Sequence, residues 1–91
     1  MDLERFPGGD LVSRGLRDLA RGEDTVAALL VLVGAPRLRR LGLQVPETRV
    51  PEVEHVLYER LAEADPDAAH GRYNALIRLL VSFERAAECA G

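Results

Sequence analysis

Apolar residues recur at helical spacing in several stretches, and glycine and proline separate them. In residues 10–22, Leu11, Val12, Gly15, Leu16, Leu19 and Ala20 share one face, with Ser13, Arg14, Arg17, Asp18 and Arg21 opposite. Asp10 is placed to cap the first turn and Gly22 to stop the helix. The stretch 24–34 opens on a second candidate cap, Asp24. From 26 to 33 it reads Val-Ala-Ala-Leu-Leu-Val-Leu-Val, apolar on every side. Three valines would also suit a buried strand. No other segment reads as a strand, and a lone strand cannot satisfy its backbone N–H and C=O groups. The pattern therefore predicts a helix, almost fully buried.

Pro36 opens a short helical piece, 36–41. Leu38 and Leu41 lie one turn apart and face inward, and Arg37, Arg39 and Arg40 face outward. Residues 43–50 read as a connector. Pro51 suits the first position of the next helix, because its missing N–H is not needed there. Val53, Val56, Leu57, Leu61 and Ala64 make its apolar stripe; Glu52, Glu54, His55, Glu59, Arg60 and Glu63 take the rest. The sequence Asp65-Pro66-Asp67 marks another boundary, a cap followed by proline and then an acid at the positive end of the helix dipole.

The last helix is expected from about 66 to about 90. Ala69, Tyr73, Leu76, Leu80, Phe83 and Ala87 step by fours and threes, a heptad seam. Ile77, Leu79 and Val81 widen the apolar surface beyond a seam. The polar stripe is narrow: Asp67, Asn74, Arg78, Ser82, Arg85 and Glu88. A helix this apolar needs cover on most sides, from its own chain or from a second subunit.

Composition sharpens this picture. The chain has 91 residues, 47% of them hydrophobic and 30% charged, with net charge -3. One small core is expected. Every basic residue is arginine, as in a GC-rich coding sequence, and the lack of lysine removes Schiff-base and lysine-nucleophile chemistry. Asn, Gln, Met and Cys occur once each, a thermophile-like sparing of labile side chains, although missing lysine runs against that pattern. A single Cys excludes an internal disulfide and a cysteine-based zinc cluster. Cys89 reads as packing filler. The N-terminal stretch is acidic and broken by Pro7-Gly8-Gly9, unlike a targeting run, so a cytoplasmic location is expected. No apolar run approaches the roughly 20 residues that span a bilayer. Residues 47–66 carry net -4, six carboxylates against Arg49 and Arg60, and no strongly basic face emerges. That argues against nucleic acid as the partner.

Three groups of residues could carry a function. Arg37, Arg39 and Arg40, with Arg49 near in sequence, form the basic cluster and could hold an anion or a phosphate backbone. The plainer expectation is that they pair with the acidic segment that follows. His70, Asn74 and Arg78 are four apart on one strip with Tyr73 beside them, and could serve an enzyme or an anion site. The seam residues Leu76, Leu80, Phe83 and Ala87 could form an interface. The pairs Glu52-x-x-His55 and Asp67-x-x-His70 have the spacing of metal ligands on a helix, but both lie at helix starts and at opposite poles of a hairpin. No metal and no cofactor is expected. A helix-turn-helix over 24–42 fails because 26–33 lacks a polar outer face. Val33-Gly34-Ala35-Pro36 lacks the glycines and lysine of a nucleotide-binding turn.

These observations predict one all-α domain, 1–91. It is a compact irregular four-helix bundle with one additional short helix and a central C-terminal helix, and 1–9 is loosely ordered. The expected function is a non-enzymatic protein-protein interaction domain, a homo-oligomer assembled through the C-terminal helix or a binder of another protein. A small anion or nucleic-acid binder on the arginine cluster is the alternative, and an enzyme on the His70 strip a second one.

Overall fold

A helix that is apolar all round is stable in water only if other elements surround it, and residues 26–33 impose that demand on the whole chain. The computed structural model describes residues 2–90. After a 3-10 turn at Leu3–Arg5 come five α-helices: α1 (Gly9–Ala20), α2 (Val26–Val33), α3 (Ala35–Arg40), α4 (Val53–Ala64) and α5 (Ala69–Ala90). The described residues contain no strand. The protein is all-α, four main helices and one short one, as the pattern predicts. α2 packs against α1, α3, α4 and α5 and buries Ala27, Ala28, Leu29, Leu30 and Val31. α5 spans about 33 Å at 1.5 Å per residue, close to the 38 Å long axis of the molecule. It lies across α2 and α4 and adds Leu80, Phe83 and Ala87 to a core completed by Val12, Leu38, Leu57 and Leu61.

α1 and α2 form the tightest pair. At Gly15 an added Cβ would stand 2.3 Å from the Ala27 carbonyl oxygen and 2.5 Å from the Val31 methyl. The two backbones therefore approach as closely as a missing side chain allows. The turn between them is fixed by Gly22 at φ 76°, the left-handed stop expected there.

The caps differ in detail from the sequence reading. α2 is capped by Thr25, not Asp24: the Thr25 hydroxyl accepts from the Ala28 N–H at 3.2 Å and donates to the Asp18 carboxylate of α1. Asp24 is held instead by Arg60 of α4, which reaches its carboxylate at 3.1 Å and its carbonyl at 2.6 Å. α1 starts one residue before Asp10, with Gly8 at the cap position, so Asp10 acts only as a charge in the first turn. α4 starts at Val53, not Pro51, because Glu52 takes a left-handed conformation (φ 51°) that breaks the helical run. Asp65 closes a turn instead of capping α5: its carboxylate accepts from the N–H groups of Asp67 and Ala68 at 3.2 and 3.3 Å, and α5 begins only at Ala69, later than the expected start at about 66.

Within residues 1–9, expected to be loose, the 3-10 turn sends Phe6 edge-on against Phe83 at 5.8 Å. Met1 lies outside the described residues.

Three substitutions test this packing. Gly15→Ala lowers the melting temperature although alanine favours a helix, because overpacking costs about 1–3 kcal/mol. Gly71→Ala, where the added Cβ meets nothing within 4 Å, raises stability by roughly 0.5–1 kcal/mol. Thr25→Val removes the cap of α2 and its tie to α1 and costs about 1–2 kcal/mol. In thermal melts that is a drop of roughly 4–8 °C per kcal/mol for a domain of this size.

Candidate functional site

α1 and α5 meet where Gly8 backs onto Leu79; a Cβ at Gly8 would lie 2.9 Å from the Leu79 carbonyl oxygen. Beyond that point a groove of about 540 Å³ opens between the two helices, over the first turn of α2. Leu11 and Arg14 form one wall, Arg72, Ala75 and Leu76 the other, and Val26 and Ala27 the floor. Asp18 and Thr25 close one end with their hydrogen bond. The lining is mostly apolar, and both arginines are exposed. Among the described residues neither Arg14 nor Arg72 makes an ion pair. Such a surface can take an apolar group that carries negative charge at its edges.

A second feature lies where α3 crosses α5. Glu84 is buried, 4% exposed, and faces Gly34 of the α2–α3 junction. Arg37 bridges Glu84 at 3.8 Å and the exposed Glu88 at 3.4 Å. Burial pushes the Glu84 carboxyl above the ordinary glutamate range, and Glu88 adds to the rise; Arg37 and Arg40 oppose it.

The sequence-predicted residues are distributed as follows. The basic cluster is divided. Arg37 is committed to α5, not to the acidic segment 47–63 that was its expected partner, because α3 lies along the C-terminal half of α5. Arg39 holds the connector, donating to the carbonyls of Val45 at 3.2 Å and Pro46 at 3.3 Å. Arg40 borders the clefts beside Glu84 and Glu88. Arg49 meets only Arg39 of the cluster, around a shallow hollow with Glu47 and Thr48.

The strip of α5 is split as well. His70 bonds Asn74 at 3.2 Å, and Arg78 is exposed on the same row. Tyr73 turns away to pack on Tyr58 of α4 at 5.7 Å. The proposed interface seam faces the chain's own interior: Leu80, Phe83 and Ala87 are buried and Leu76 half-buried. Those side chains are core, and the large apolar side chain left exposed on α5 is Leu79, 38% accessible. Cys89 is exposed rather than packing filler, since it falls on the outer side of α5. His55 bonds Glu59 at 2.7 Å within α4.

The sequence pattern does not single out three of the residues that matter here. Arg14 reads as one of several polar positions on α1, and Arg72 and Glu84 belong to neither the seam nor the polar stripe of α5. Glu84 had a usable signal: at about 100° per residue it falls within the apolar arc around Leu80 and Phe83. The two arginines had none, since only the crossing of α1 and α5 brings them together. Compared with known proteins, the chain matches no family model, no curated protein and no solved structure.

Glu84 gives a pH signature. Its folded carboxyl holds a proton more tightly than the unfolded one, so its contribution to stability is fully present below the ordinary glutamate pKa. That contribution is lost as pH rises through the raised value. Glu84→Gln is therefore expected to gain stability relative to the native chain as pH goes from about 4 to 8 in urea titrations. A difference that stays flat across that range contradicts the assignment.

Proposed function

We propose that this chain is a non-enzymatic protein-interaction domain whose contact surface is the α1/α5 face. The observation that supports it is the apolar groove between those helices, bracketed by Arg14 and Arg72 with no carboxylate paired to them among the described residues. Solvent-facing apolar recesses with charged rims are the surfaces that partners desolvate. The rival features are occupied internally: Arg37 and Arg39 by the chain's own oxygens, and Tyr73 by Tyr58. No described helix is long and apolar enough to cross a membrane. The exposed free thiol of Cys89 fits a reducing compartment, and the reading puts the protein in the cytoplasm.

Self-association is the second reading, and exposed Leu79 favours it. With Leu80, Phe83 and Ala87 in the core, a homo-oligomer would be built on the outer row around Leu79. Sedimentation at micromolar concentration separates the two. A particle of 10.0 kDa leaves the heterologous partner, and a particle of twice that mass selects the homo-oligomer. In the second case Leu79→Asp restores the monomer with its melting temperature unchanged. Leu80→Ala, by contrast, costs about 2–5 kcal/mol whichever reading holds, as a core truncation does.

A further inference from the structure

We propose that the α1/α5 groove receives an acidic amphipathic helix of another protein. Its apolar stripe lies between Leu11 and Leu76 over Val26, and its carboxylates meet Arg14 on one wall and Arg72 on the other. This rests on the interaction-domain reading and names the partner's chemistry.

Shape is the first argument. From Leu11 to Asp18 the wall supplied by α1 covers eight residues, about 10 Å from first to last or two helical turns. The trough is open along its top, so side chains enter from outside and nothing is enclosed. That is the form in which a helix presents anchors one turn apart to a groove.

Charge is the second. Arg14 and Arg72 stand on opposite walls and make no ion pair among the described residues, while the Asp18 carboxylate already accepts the Thr25 hydroxyl. An apolar helix with acids on both flanks answers both guanidinium groups. A phosphate backbone would leave Leu11, Val26 and Leu76 in contact with its own charge, which disfavours nucleic acid as the occupant.

A second copy of this chain is a poor occupant. The acid-rich helix of this chain is α4, and its apolar anchors Leu57 and Leu61 are buried. On that helix a folded copy exposes Glu54, Glu59 and Glu63, but Val53, Val56 and Tyr58 are half-buried against its own core and no large apolar side chain stands exposed beside the acids. The occupant is therefore a different chain.

The test uses the full chain, labelled with ¹⁵N, and two synthetic helical peptides. Both carry two leucines one turn apart; one has glutamates on its flanks and the other lysines. The glutamate peptide is expected to shift the amides of Leu11, Arg14, Val26, Arg72 and Leu76 and to bind more weakly as salt rises. Arg14→Glu combined with Arg72→Glu weakens it by roughly tenfold or more and makes the lysine peptide the better ligand. Both positions are exposed, so an unchanged melting temperature shows that the variant is folded.

Equal binding of the two peptides to the native chain overturns the proposal, as does silence of the groove amides. Octanoate, or vesicles of phosphatidylglycerol, shifting the same amides where the glutamate peptide does not would overturn it in favour of a small amphiphile or a lipid surface. Peptide binding elsewhere on the chain overturns the groove assignment alone and leaves the interaction-domain reading standing.

Discussion

The burial of α2 is the requirement from which the rest of this fold follows. Eight residues without a polar side chain cannot be exposed on any side, so every other helix is positioned to cover one. α1 covers it at the closest range, because Gly15 lets the Ala27 carbonyl and the Val31 methyl come within a distance that a side chain would forbid. α4 covers a second side with Leu57 and Leu61, and α5 a third with Leu80 and Phe83. Thr25 then serves two helices at once, capping α2 and bonding Asp18 of α1, so that the helix ends are satisfied where the pair is tightest.

The open groove follows from the same arrangement. α1 is drawn onto α2, and α5 lies on α2 and α4, so α1 and α5 do not pack along their full length. They meet at Gly8 and Leu79 and then separate, and the gap leaves Val26 at the start of α2 only half-buried. The chain thus buries the middle of its most apolar helix and leaves its ends half-covered, Val26 between the two walls that bear Arg14 and Arg72, and Leu32 and Val33 at the far end. Small domains with one core seldom have enough elements to close every such gap. A gap with charged walls is where a partner gains most from binding.

On the other side of α5, polar groups meet the opposite fate. Glu84 is drawn inside where α3 crosses, and Arg37 divides its charge between Glu84 and Glu88. The shift of Glu84 reflects desolvation first, with the arginines compensating only in part. α3 is short and contributes Leu38 to the core, so this polar contact helps to fix its direction against α5.

Periodicity, together with glycine and proline, was sufficient to define the all-α class, the helices and most of their boundaries, because those depend on local backbone geometry and on which face must leave water. It also identified α2 as buried, since a helix with no polar face has no other place. The helix starts went astray by about one to three residues, at Thr25, Gly8, Val53 and Ala69, where neighbouring groups compete for the same N–H groups. Helix crossing angles left no trace in the pattern. They put Leu80, Phe83 and Ala87 into the core rather than on an interface, gave Arg37 to α5 rather than α4, and set Arg14 opposite Arg72 across fifty-eight residues of chain. Such contacts join surfaces distant in sequence, and their energy depends on packing between helices, which no local pattern records.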